Sequence, residues 1–168
     1  MKIKTVLTLL LAHISISCWA QNSSYNFSRA FFYDAIASDD LDKVEQNIKI
    51  LEKTDIPEKE GFEGALLMKK AGLIKGLGEK LSVFKEGNKK LEGALSADPN
   101  NTEYRFLRLV IQENAPNILG YNNNLQEDSA HVRQGYASLP SEVIEAIVNY
   151  SKESKYLQLD EVREGSTE

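Results

Sequence analysis

The sequence predicts an all-α protein of about seven helices, packed as stacked antiparallel hairpins. Three observations carry that expectation. Apolar residues recur at spacings of three and four with almost no alternation of the kind that marks strands. Capping and breaking clusters such as Ser38-Asp39-Asp40 and Asp98-Pro99-Asn100-Asn101 punctuate the chain at helix-length intervals. Several of the intervening segments are apolar on two sides, as helices inside a stack must be.

The first helix, about 29–37, carries Ala30, Phe31, Tyr33 and Ala37, and Ser38-Asp39-Asp40 ends it and caps its successor. The second, about 40–53, sets Leu41, Val44, Ile48 and Leu51 on one face before Asp55-Ile56-Pro57 breaks it. The third, about 58–75, has one stripe of Phe62, Ala65, Leu66 and Leu73. Gly64, Met68, Ala71 and Gly72 form a second, small-residue face on which a neighbouring helix can approach closely. Gly76 and Gly78 supply a turn; the Gly72 to Gly78 cluster lies between helices and so is not a phosphate loop. The fourth helix, about 79–97, repeats Leu81, Phe84, Leu91 and Leu95 at 3.5-residue spacing, with Asn88 in the same seam.

Pro99 cannot continue that helix, and Asn100, Asn101 or Thr102 can cap the fifth, about 102–114. The fifth again has two apolar faces, Tyr104, Leu107 and Ile111 on one and Phe106, Leu109 and Val110 on the other. Residues 114–124, with Pro116, Gly120 and three asparagines, form a loop with a short turn at Ile118-Leu119. A sixth helix, about 125–137, uses Leu125, Val132 and Tyr136. A seventh, about 141–152, follows Leu139-Pro140-Ser141 and uses Val143, Ile144, Ile147 and Val148. Residues 29–152 thus read as one helical domain, and 153–168 as a charged tail in which Tyr156, Leu157 and Leu159 could dock a last turn.

The amino terminus reads as an address. Lys2 and Lys4 precede an apolar stretch from Val6 to Ile16, and Cys18-Trp19-Ala20 ends in the small residue that signal peptidase requires, so residues 1–20 are expected to be a secretory signal cut after Ala20. Residues 21–28 then form a polar, flexible lead-in. The alternative is lipoprotein processing at Cys18, against which Ser15 stands where a lipobox carries Leu. Cleavage would remove the only Cys and the only Trp, leave His131 as the only histidine, and carry the net charge two units below the −5 of the full chain. Thiol catalysis, Cys-ligated zinc and iron–sulfur clusters are then excluded, and the acidic balance argues against nucleic acid as a partner. An exported domain of about 150 residues without disulfides relies on its packed core.

The stretch from Phe84 to Asn101 resembles the second helix and exit of a tetratricopeptide repeat. In that pattern a small residue, a large apolar residue, Ala and Pro follow at set offsets, matched here by Gly87, Leu91, Ala94 and Pro99. The resemblance spans roughly 62–99 and the start of a second unit at 102–114. It departs from the family in lacking the aromatic–Leu–Gly–aromatic signature of the first helix, and in having Leu109 where a small residue is usual. The chain is similar to secreted, uncharacterised repeat-like proteins of the Bacteroidota. This resemblance implies a non-catalytic scaffold for a peptide or protein partner. Because so few repeats are visible, association with a partner or with itself is expected to cap the open ends.

Candidate binding residues follow from placement. Arg105, Arg108 and Gln112 form a narrow polar stripe on the fifth helix and could grip a carboxylate in a groove; the competing reading pairs the arginines with the protein's own acids. Lys69, with Lys70, could line the same groove or merely extend its stem to water. Tyr121 and Asn123 lie in the most loop-like segment, where adaptable hydrogen-bonding contacts favour binding. His131 stands four residues after Glu127 and three after Asp128, which suggests an acid–base pair for a small envelope hydrolase, or simply a solvated helix face. No second His supports a metal site, and no cofactor motif is present. Asp128-Ser129-Ala130 resembles a short O-glycosylation motif of exported Bacteroidota proteins.

Overall fold

The computed structural model describes residues 27–159, and the processing sites at Cys18 and Ala20 lie outside them. Within that range the fold is all-helical: α1 Arg29–Ala37, α2 Leu41–Glu52, α3 Lys59–Leu73, α4 Leu77–Ala97, α5 Thr102–Asn114, α6 Leu125–Gly135 and α7 Ser141–Ser151. Single 3₁₀ turns occupy Asn117–Leu119 and Tyr136–Ser138.

Local chemistry sets these boundaries. The Ser28 hydroxyl accepts from the Phe31 N–H at 3.4 Å, Asp40 accepts from Asp42 and Lys43 at 3.0 and 3.3 Å, and Asn101 accepts from Tyr104 at 3.0 Å. Each satisfies amides that the first helical turn leaves without partners. Gly76, at φ 93°, makes the reversal between α3 and α4, a conformation that a side chain disfavours.

From α1 to α6 each helix packs on its successor, α6 and α7 meet through the 3₁₀ turn between them, and the α3–α4 hairpin is the tightest. At its crossing Gly64 faces Gly87: a Cβ on Gly64 would lie 2.6 Å from the Leu91 nitrogen, and one on Gly87 would lie 2.6 Å from the Gly64 carbonyl oxygen. The small-residue face of α3 is therefore a backbone-to-backbone contact at Gly64, whereas Gly72 faces open space. α5 packs on both α3 and α4 and pairs with α6, while α7 returns to α1, so the first and last helices cover part of each other.

The core runs continuously from α1 to α7. It includes an aromatic cluster in which Phe32 and Phe62 have ring centroids 4.7 Å apart, with Phe27 stacked on Phe62 at 5.3 Å and Tyr104 meeting Phe62 edge-on at 6.3 Å. Phe27 thus anchors the end of the segment expected to be a polar lead-in. At the other end Leu157 is fully buried, so the start of the charged tail is docked. The Glu113 carboxylate fixes it, accepting from the Ser154 hydroxyl at 2.6 Å, the Tyr150 hydroxyl at 2.8 Å and the Lys155 N–H.

One length mismatch shapes the surface. At 1.5 Å per residue the 21 residues of α4 span about 31 Å and the 13 of α5 about 20 Å. The 3.5-residue seam of α4 is buried at Leu91 and Leu95 and half-covered at Phe84 and Asn88. It then emerges at Leu81 and at Leu77, which is 85% exposed.

Candidate functional site

The arginine stripe of α5 is turned inward. Arg108 is buried and donates Nε and Nη2 to Asp128 at 2.7 and 2.8 Å and Nη1 to Glu92 at 3.0 Å. Arg105 donates to Glu127 at 2.8 Å, to Asp128 at 3.0 Å and to the Pro99 carbonyl at 2.7 Å. Gln112, also buried, donates to the Asn124 side chain at 3.2 Å and accepts from the Asn124 N–H at 3.2 Å. These three residues tie α5 to α4, α6 and the preceding loop rather than line an open groove. Burial opposes the charge on Arg108, but Asp128 and Glu92 more than offset it, and its pKa is raised.

The other sequence candidates are spread out. Lys69 reaches Asp39 at 3.2 Å and Lys70 reaches Glu45 at 2.9 Å, so both pin α3 to the α1–α2 hairpin and share no partner with the arginines. Tyr121 donates to Glu92 at 2.6 Å and meets Phe84 edge-on at 5.6 Å, closing the loop onto α4; Asn123 is exposed. His131 Nε2 contacts the Asn100 carbonyl at 3.1 Å, while the carboxylates of Asp128 and Glu127 are taken by arginines, so the acid–base pair of the alternative hydrolase reading is not assembled. Ser129 is fully buried with its hydroxyl donating to the Gln126 carbonyl, which leaves no room for a glycan. Among the described residues no cluster of three or more His, Cys, Asp or Glu could hold a metal ion.

The surface does carry a groove, of about 860 Å³, where the C-terminal half of α4 lies between the turn preceding α3 and the start of α5. Gly93, Ala94 and Ala97 make its floor, and a Cβ on Gly93 would meet nothing within 4 Å. Pro57, Glu58 and Glu60 stand on one side, and Asn101 and Tyr104 close one end. Glu86, Lys89 and Lys90 lie along α4 toward the other.

Tyr104 is the unusual member. Its ring lies over Gly61, where a Cβ would come within 2.6 Å of it, and packs against Phe62. The side chain is only 6% exposed, yet its hydroxyl has no hydrogen-bond partner among the described residues and is not sealed from solvent. Burial, with the charges of Glu58, Glu103 and Asp98, pushes its pKa up to about 12. The phenol therefore stays protonated and sits in a negative field, which the Arg29 charge only partly offsets.

Behind that end of the groove lies a partly buried cluster. Glu103, at the start of α5, accepts from Arg29 Nε at 3.1 Å and from the Tyr33 hydroxyl at 3.0 Å, and Arg29 also reaches Glu58 at 2.6 Å. Arg29 stacks over Phe62 with its guanidinium 5.5 Å from the ring centroid. The cluster holds α1, the turn before α3 and the start of α5 in fixed relation, and so fixes the walls of the groove. No protein-family model, no curated protein and no solved structure matches this chain.

Sequence reasoning places Tyr104 on an apolar face and does not single out the groove. Small residues such as Gly93, Ala94 and Ala97 give little signal of exposure, and the three segments around them are separated in sequence.

Proposed function

We propose that this chain is an exported, non-catalytic interaction module that binds a peptide or protein partner in the cell envelope. The observation that carries the reading is the open groove over Gly93, Ala94 and Ala97, preformed between three helical segments and held by the Arg29–Glu103–Glu58 cluster. A floor without large side chains lets a partner's backbone or a long side chain lie close to α4. A rigid frame lowers the ordering cost on this side of the interface. The tetratricopeptide-like register of Gly87, Leu91, Ala94 and Pro99 adds support, since the scaffold it resembles is one that binds. The reading of residues 1–20 as a secretory signal supports export.

Filling the groove tests the proposal. Ala97→Trp places an indole on the floor at an exposed position and is expected to leave the helical signal and melting temperature unchanged while abolishing peptide binding on an array of random nonapeptides. Equal binding by the native and substituted proteins would overturn the assignment of the groove. For export, intact mass should show a free amino terminus at Gln21, and a lipidated Cys18 would instead place the module on a membrane.

A further inference from the structure

The groove is asymmetric in charge, and its buried end is the one with an unused polar group. Lys90 is occupied by Glu60 at 2.8 Å and Glu63 at 3.3 Å, and Glu58 is shared with Arg29 at 2.6 Å. Glu86 and Lys89, three residues apart on α4, have no ion pair among the described residues and offset one another. Asp98, next to Tyr104, has only the Asn101 amide at 3.1 Å. The Tyr104 end is therefore lined by Glu58 and Asp98, with Glu103 buried behind it, against the single charge of Arg29. An acidic peptide would add negative charge there, as would a second copy of a chain whose own net charge is −5.

We propose that the groove takes a cationic side chain, Lys or Arg, from a peptide segment of the partner. Its head group donates to the Tyr104 hydroxyl oxygen beside Glu58 and Asp98, and its aliphatic stem lies along Ala94 and Ala97. A phenol oxygen keeps acceptor capacity while its O–H donates, so it can accept a hydrogen bond from an ammonium or guanidinium and donate its own to a peptide carbonyl. The stem finds an apolar floor of the length such side chains use when the charged head stays at a polar edge. This deepens the binding reading above and rests on it.

The test uses the labelled full chain on arrayed random nonapeptides. Bound peptides are expected to share a Lys or Arg at one position, and its replacement by Gln should weaken binding about tenfold, the effect of one charge-assisted hydrogen bond. Tyr104→Phe, which keeps the ring over Gly61, and Asp98→Asn should each reduce that preference severalfold with the circular dichroism unchanged. Ala97→Trp should remove binding altogether. Peptides that bind in the groove without enrichment in Lys or Arg, or with acidic residues enriched, would overturn the cation assignment and leave the binding module standing. Retention of the Lys/Arg preference in both Tyr104→Phe and Asp98→Asn would also overturn it. Binding no stronger than that of Ala97→Trp would overturn both readings.

Discussion

Arg108 grips Asp128 through two parallel hydrogen bonds, Nε to Oδ2 at 2.7 Å and Nη2 to Oδ1 at 2.8 Å, at a depth where Asp128 is 0% exposed. Such a fork fixes the rotation of α6 against α5. Removing one partner of a buried pair leaves the other charge uncompensated, at a cost of roughly 3–5 kcal/mol. Asp128→Ala is expected at the lower end, about 3 kcal/mol, because Glu92 and Glu127 still reach the two arginines. The double variant Arg108→Met, Asp128→Leu should lose clearly less than the sum of the single changes in urea titrations. Additivity would show that the pair is not coupled.

Gly64 and Gly87 make a second kind of contact, backbone against backbone. Gly64→Ala or Gly87→Ala must push α3 and α4 apart, because the added methyl meets main-chain atoms at 2.6 Å. Overpacking of this kind costs about 1–3 kcal/mol, well beyond the gain from replacing a helical Gly. Gly72→Ala, about two turns along the same helix and in open space, should instead stabilise by up to about 1 kcal/mol. Thermal denaturation of the three variants checks the contrast; a common sign would sink it.

The helix boundaries and the close face of α3 are legible in the sequence because caps, breakers and periodicity are local. Asp40 and Asn101 cap helices as their positions suggest, and Gly64 is the residue on which α4 closes. The fate of Arg105, Arg108 and Gln112 is not legible in the same way. A polar stripe between two apolar faces can border a groove or be sealed by a neighbour, and the deciding carboxylate, Asp128, lies 20 residues from Arg108. Spacing likewise puts His131 and Asp128 on one helix, but the carboxylate turns toward α5. The field at Tyr104 is set by carboxylates on three separate segments, which no periodicity reports.

The seam of α4 separates pattern from burial. Leu77 and Leu91 occupy equivalent positions in the 3.5-residue repeat, yet Leu91 is fully buried and Leu77 is 85% exposed beyond the reach of α5. Leu91→Ala should cost about 2–5 kcal/mol, whereas Leu77→Ala should change stability by no more than about 0.5 kcal/mol. Chemical denaturation measures both, and a large loss at Leu77 would mean that the overhang is covered in solution.

Glu113 holds the docked C-terminal turn through Tyr150, Ser154 and the Lys155 amide. Glu113→Ala removes all three acceptor contacts at once and should release residues 154–159, uncovering Leu157. Amide exchange is expected to accelerate there while α3 and α4 remain protected. Uniform acceleration across the chain would instead make this turn part of the global folding unit.

Glu103 predicts a pH dependence with an unusual direction. Burial raises its pKa above the ordinary carboxylate value of 4.5, outweighing the opposing pull of Arg29 and the Tyr33 hydroxyl. The folded protein then binds the Glu103 proton more readily than the unfolded chain does. As pH falls from neutrality through the raised value toward 4.5, this residue's contribution shifts in favour of folding. Glu45 and Glu127, whose pKa values are lowered by Lys70 and Arg105, act oppositely, since their contribution is complete above 4.5 and is lost as pH drops through the lowered values. Between neutrality and 4.5 the stability difference between the native protein and Glu103→Gln should therefore grow in favour of the native protein as pH falls, because Gln cannot take up the proton. Urea titrations at several pH values in that window check this, and a difference that shrinks with acidification would show that Arg29 and Tyr33, not burial, dominate the titration of Glu103.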